Sequence, residues 1–206
     1  MQAAVAMVLR DGEHGTEILM MQRAHHDGDP WSGQMAFPGG KIDPDDHGPQ
    51  AAAERETLEE VGLRLGPQDY IGRLDDVYGL KVNGQYSVLV SSFVYKPTGA
   101  IELTPNYEVA DLVWLPTQFL AQRDNAHDFY HPHAPEVKMP AVMINETKQQ
   151  VLWGLSLRIL TIFYDLVGWE LAVLSDRDQQ DLRDIENRDI VRRHAKNIAK
   201  AVSRSK

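Results

Sequence analysis

A long loop that runs into a short helix constrains this chain more than any other feature. Residues 24–49 are dense in Gly, Pro, Asp and His, and residues 50–61 then switch to Ala, Glu, Arg and Leu with neither Gly nor Pro. The second segment predicts a helix over 50–61, and Gly62 is placed to end it. A loop as long as 24–49 inside a compact domain is either functional or disordered, and its Trp31, Met35 and Phe37 favour an ordered one. On the helix, Glu56, Glu59 and Glu60 are related by i,i+3 and i,i+4, so their carboxylates project from neighbouring positions.

Like charges at that spacing repel by roughly a few tenths of a kcal/mol per pair on an exposed helix. Arg55, four residues before Glu59, can pair with one carboxylate but cannot neutralise three. A hard divalent cation can, because Mg²⁺ takes oxygen ligands from carboxylates, waters and substrate phosphates together. Just upstream, Gly39-Gly40 allows close backbone approach or positive φ. A helix N-terminus aimed at a phosphate adds favourable dipole contacts. Loop and helix together suit a metal-bound diphosphate. The other reading of the same residues is an exposed, salt-bridged acidic helix behind an incidental Gly-Gly turn.

Around this unit the chain reads as mixed α and β. Strands are expected at 5–10 and 17–23, around the turn-rich 11–15, then at 71–77 and 86–95 with Asn83-Gly84 as a hairpin signal. A short strand at 112–115, a small helix from Pro116 to about Gln122, a His- and Pro-rich loop at 123–138 and a strand at 139–144 follow. A helix is expected over about 148–167, with Val151, Leu152, Leu155, Ile159, Ile162 and Phe163 forming its core stripe. Residues 1–174 are expected to form one domain, and 175–206 a charged helical extension that is not a domain of its own. No internal repeat or low-complexity tract is evident.

Composition excludes several chemistries. The 206 residues include no cysteine, so disulfides, thiolate metal sites, iron–sulfur clusters and cysteine nucleophiles are out. Lys+Arg total 21 against Asp+Glu 30, a formal charge of −9, which makes nucleic acid an unexpected partner despite the basic last fifteen residues. The apolar run 151–174 is interrupted by Arg158, Asp165 and Glu170, so no membrane span is expected. The first residues lack a basic leader followed by an apolar core, and the expected location is cytoplasmic. His25-His26 could bind metal, although adjacent histidines in a polar loop are more often merely exposed, and His127, His131 and His133 do not define a recognisable zinc site.

Arg55-Glu56-x-x-Glu59-Glu60-x-Gly62-Leu63, preceded by Gly39-Gly40, resembles the box of the Nudix hydrolases, Gly-x5-Glu-x7-Arg-Glu-U-x-Glu-Glu-x-Gly-U with U apolar. The spacing from Gly40 to Arg55 is one residue longer than usual, Asp45-Asp46-His47 stand at the intermediate acid, and Thr57 replaces an apolar residue. The resemblance implies the Nudix α/β/α sandwich, with a mixed sheet and a catalytic loop–helix–loop. It further implies hydrolysis of a small-molecule diphosphate substrate with Mg²⁺ or Mn²⁺. Carried over, Glu59 and Glu60 bind metal, Glu56 binds metal or activates water, Arg55 holds the carboxylates, and a carbonyl near Gly39 completes the shell. A further acid comes from outside the box in many members. Glu108 is the candidate here, ahead of Glu102 and Asp111.

Gly33-x3-Phe37-Pro38-Gly39-Gly40, together with Arg23-Ala24 and the segment 152–160, is similar to the coenzyme A pyrophosphatase branch. Met21 stands where that branch has Thr, and its internal Arg is absent, with Gly28 or Asp29 in its place. An arginine is a natural partner for the 3′-phosphate of coenzyme A. Arg23 and Gly40 are expected at the substrate, and Lys41, His25, His26 or a basic residue from elsewhere in the fold is expected to compensate for the missing Arg. Coenzyme A or its thioesters is therefore the expected substrate class, giving 3′,5′-ADP and 4′-phosphopantetheine. ADP-ribose, nucleotide sugars or dinucleotides are the enzymatic alternative, and a binding or regulatory module without turnover is the other. A homodimer is compatible with the family.

Overall fold

A computed structural model describes residues 1–171 except 28, 30, 80, 83, 84, 87, 132, 133 and 170. In chain order the strands are β1 (Gln2–Gly12), β2 (Gly15–Arg23), β3 (Met35–Ala36), β4 (Gly39–Lys41), β5 (Tyr70–Arg73), β6 (Val77–Tyr78), β7 (Lys81–Val82) and β8 (Gln85–Tyr86). They continue with β9 (Leu89–Tyr95), β10 (Val109–Pro116), β11 (Ala126–His131), β12 (Ala134–Asn145) and β13 (Gln150–Trp153). Helix α1 spans Pro49–Val61 and α2 spans Gly154–Val167.

The central sheet runs β10-β2-β1-β9-β5, with β3, β4 and β6 added beside β2, β1 and β9. It is mixed, because β1 runs parallel to β9 and antiparallel to β2 and β4. Strand alternation sends side chains to opposite faces. Ala4, Ala6 and Val8 of β1 and Leu19 and Met21 of β2 face α1, where they meet Ala52, Ala53 and Val61. Met7, Leu9, Ile18 and Met20 face the other way, into a cluster with Leu157, Leu160 and Phe163 of α2. The alanines on both sides of the α1 contact leave little between helix and sheet. That closeness brings α1 up to the Gly39-Gly40 strand.

Several expectations need correcting. The helix expected from 148 begins only at Gly154. Gln149 takes φ 52° in a reverse turn, and β13 then pairs with β12 with Val142 opposite Leu152. Gly154 at φ 60° re-aims the chain into α2, a conformation that favours glycine. The loop expected at 123–138 largely pairs instead: β11 and β12 form two strands of a three-stranded antiparallel sheet with β13, and Phe129 packs on Trp153. The expected strand 139–144 is the second half of β12, and the expected small helix after Pro116 is a 3₁₀ turn, Thr117–Ala121. The strand expected at 71–77 is split into β5 and β6, where Arg73 turns to pair with Asp76 at 2.6 Å. The strand expected at 86–95 is likewise divided, between β8 and β9. Strands β7 and β8 pair around residues 83 and 84, which lie outside the described residues, as does the tail expected to be helical from 175.

Candidate active site

Helix α1 presents two chemically different sides. Its buried side carries Ala52, Ala53, Thr57, Glu60 and Val61. Thr57 can stand at an apolar position because its hydroxyl donates to the Ala53 carbonyl at 2.7 Å, leaving its methyl in the core. Glu60, about one turn on, is only 2% exposed. Its carboxylate accepts the Gly39 amide at 2.8 Å and faces the Arg23 guanidinium at 3.9 Å. Burial pushes Glu60 up to about 8, and the carboxylates of Glu56 and Glu108 push it the same way, against the pull of Gly39 and Arg23.

Glu56 is partly buried against Gly40. A Cβ on that glycine would sit 2.5 Å from the Glu56 carboxyl, so a side chain there would displace Glu56. Burial raises Glu56 above the usual carboxylate range. Arg55 opposes that shift, while Glu59 and Glu108 add to it. Glu59 points outward, with its side chain 54% exposed and 3.4 Å from Arg55. Gly39 itself has φ 148°, and any side chain there would run into the backbone of β1.

Arg55 ties these pieces together. It meets both Asp46 oxygens at 3.0 Å, donates to the Lys41 carbonyl at 3.2 Å, and lies 3.1 Å from Glu56. The hydrogen bonds from Arg55 hold Asp46 below the ordinary aspartate value. Of Asp45-Asp46-His47, Asp46 is therefore the residue that meets the box arginine. The sequence reading assigned it no role, although the box spacing gave the signal.

The loop after residue 103 docks on the end of α1. Thr104 and Asn106 donate their amides to the Val61 and Glu60 carbonyls, each at 2.8 Å, satisfying groups that a helix end leaves unpaired. Asn106 then accepts the Glu108 amide at 2.8 Å, and the Glu108 carbonyl accepts Ala24 N–H at 2.7 Å. Glu108 is thereby brought into the electrostatic field of Glu56 and Glu60. Its competitors are elsewhere. Asp111 is held by Lys148 at 2.6 Å and Gln150 at 2.7 Å, and Glu102 is exposed.

Arg23 bridges outward to Asp29 at 3.0 Å as well as inward towards Glu60. Lys41 is exposed, and its carbonyl is the part that contacts Arg55. Neighbouring His25 lies against Gly33. His127 and His131 lie on β11, and His133 is outside the described residues.

Among the described residues, no group of three His, Asp or Glu side chains is gathered as a metal cage. The reason is visible in their partners: Glu60 leans on the Gly39 amide, and Glu56 and Glu59 lean on Arg55. The donor set still fits a hard dication. Glu56, Glu60 and Glu108 act on one another and Glu59 acts on Glu56, all oxygen donors, and burial together with this repulsion disfavours the charge on Glu56 and Glu60.

The family model for the NUDIX domain matches residues 1–136, and the chain belongs to the Nudix hydrolase family. Nudix hydrolases generally use divalent metals. Among its relatives, mouse (Mus musculus) mitochondrial coenzyme A diphosphatase NUDT8 is 38% identical over 82 residues, which is 40% of this chain and 38% of that protein. An uncharacterized Nudix hydrolase, NudL of Pectobacterium atrosepticum, is 29% identical over 154 residues, 71% of this chain and 73% of that one. A probable nudix hydrolase of Schizosaccharomyces pombe, C6G9.05, is 25% identical over 170 residues, 80% of this chain and 55% of that protein. The match thus spans from 25% to 55% of the length of several curated relatives. In fold, a MutT/nudix family protein from Enterococcus faecalis superposes with a TM-score of 0.56 at 16% identity, covering 98% of this chain and 80% of that one. No helix among the described residues is long and apolar enough to cross a membrane.

Proposed function

We propose that the protein is a pyrophosphohydrolase requiring Mg²⁺ or Mn²⁺, and that its substrate is coenzyme A or a coenzyme A thioester. The observation that carries the hydrolytic reading is the convergence of Glu56, Glu60 and Glu108 beside the Gly39-Gly40 strand, with one arginine clamped among the box carboxylates. In this reading Glu59, Glu60 and the Gly39 carbonyl would hold the metal, and Glu56 is left to act on water. The bound ion supplies charge neutralisation of the diphosphate oxygens and a water of lowered pKa. Glu56, whose proton affinity burial has raised, takes the proton from the attacking water. Glu108 supports that carboxylate through its charge, and Arg55 fixes its position from Asp46. The water oxygen bonds to one phosphorus, the bridging P–O bond breaks, and two phosphomonoesters leave, 3′,5′-ADP and 4′-phosphopantetheine.

Support for the substrate comes from Gly33-x3-Phe37-Pro38-Gly39-Gly40, from the lengthened box, and from the name of the NUDT8 relatives. In the same reading the Nudix domain extends to about residue 174, with the basic tail outside it. Hydrolysis of coenzyme A, acyl-coenzyme A, ADP-ribose, NADH, diadenosine polyphosphates and nucleotide sugars, resolved by product and run with each metal, tests the proposal. Release of 3′,5′-ADP from coenzyme A, lost in Glu59→Gln, is the expected result. Preferential release of AMP from ADP-ribose would overturn the substrate, and no turnover by folded, metal-loaded protein would overturn the activity.

A further inference from the structure

Tyr107 immediately precedes Glu108, yet its side chain is 78% exposed. It is nonetheless not a loose ornament on a loop. Its ring meets His26 edge-to-face, with centroids 6.2 Å apart and planes at 82°. The two rings come from segments already joined by the Ala24–Glu108 backbone hydrogen bond. His26 is itself fixed by Ser32, whose hydroxyl lies 3.0 Å from its amide and 2.8 Å from its carbonyl. Tyr107 is braced from below by Asn106, which is bonded to the end of α1. The result is a supported, solvent-facing aromatic corner one residue from a carboxylate that faces Glu56 and Glu60.

We infer that this corner is the nucleobase subsite, with the base of the substrate stacking on the open face of Tyr107 while its diphosphate lies at the carboxylates. The inference rests on reading the substrate as a nucleotide-linked diphosphate. Within such a substrate the base alone presents a π face; ribose, phosphate and a pantetheine arm present none. Stacking on an exposed aromatic is sequence-tolerant and contributes substantially to the binding of each base. Adjacency to Glu108, whose carboxylate acts on Glu56 and Glu60, puts the corner on the side of the molecule where the diphosphate would lie, and that commits it to the base.

The Tyr107 hydroxyl also bonds the Glu108 carboxylate, so the ring and the hydroxyl must be tested apart. In Tyr107→Ala, KM for the adenine-bearing substrate is expected to rise roughly tenfold, with a smaller fall in kcat, whereas Tyr107→Phe keeps KM within about twofold. Binding of AMP to the Glu59→Gln protein, measured by calorimetry, should weaken by a similar factor on adding Tyr107→Ala. Binding of 4′-phosphopantetheine, which has no ring, should not change. Equal damage from Phe and Ala would overturn the subsite and assign Tyr107 to holding Glu108. AMP affinity unchanged by Tyr107→Ala would overturn it outright. If no diphosphate is hydrolysed yet AMP binding depends on the Tyr107 ring, the hydrolytic reading falls and the subsite stands.

Discussion

The two faces of the central sheet are built to opposite rules. Beneath α2, Met7, Leu9, Ile18 and Met20 pack against Leu157, Leu160 and Phe163, all of them large and almost fully buried. Beneath α1, Ala4, Ala6, Ala52 and Ala53 sit among larger residues such as Leu19, Met21, Phe93 and Tyr95, and the same helix buries Glu60 and partly buries Glu56. Large apolar side chains give the α2 face most of the hydrophobic stabilisation, since that scales with apolar area removed from water. On the α1 face the four alanines give up part of that area, and backbone, glycines and carboxylates crowd together beside them. The difference teaches that stability and chemistry are segregated across one sheet, so substitutions on the two faces should separate them.

The sharpest break comes at Glu56. Glu56→Gln is expected to lower kcat by about 10²–10⁴-fold, the range for loss of a general base, while leaving the melting temperature at or above that of the parent. A variant that loses activity only because it unfolds would erase the distinction between the faces. On the other side, Leu160→Ala, at a site with 0% exposure, should lose about 2–5 kcal/mol in denaturant unfolding with kcat changed little at temperatures where it stays folded. A smaller effect lies between them. Asp46→Asn leaves Arg55 with weaker acceptors, and turnover should fall by about tenfold, in keeping with loss of charge-assisted hydrogen bonds. Addition of the same change to Glu56→Gln should cost much less, because Arg55 would then have no catalytic carboxylate to place.

Much of the α1 face was legible because its constraints are local. Glycines at 39 and 40, an acidic helix and Gly62 announce themselves within one stretch of chain, and α1 indeed runs from Pro49 to Val61 and ends on a Gly62 amide bonded to Leu58. The nearness of Glu108 to Glu56 and Glu60 was also reachable, through the family pattern. Asp46 was less so, since choosing among three adjacent polar residues depends on which one the Arg55 fork reaches. Of the β11–β13 sheet only the strand at 139–144 was legible. His127, Asp128 and Lys138 look like loop residues, yet Asp128 and Lys138 pair at 2.8 Å across strands. The four residues Gln150–Trp153 are apolar enough to extend a helix, and only pairing with β12 makes them a strand. Local composition carries no record of such partners.

Glu60 is where the proposal that the α1 carboxylates hold a cation can be tested. Its ordinary value is 4.5 and burial moves it to about 8 in the folded chain. A raised folded value means that its contribution to stability is fully present below about 4.5 and is lost as pH rises through about 8. Thermal melts of metal-free and Mn²⁺-loaded protein at pH 5 and pH 8.5, for the parent and Glu60→Gln, read this out. The metal-free parent should melt lower than Glu60→Gln at pH 8.5 but not at pH 5, and Mn²⁺ should raise the parent far more than the variant. A variant that melts below the parent at pH 8.5 and responds to Mn²⁺ as fully as the parent does would contradict that proposal.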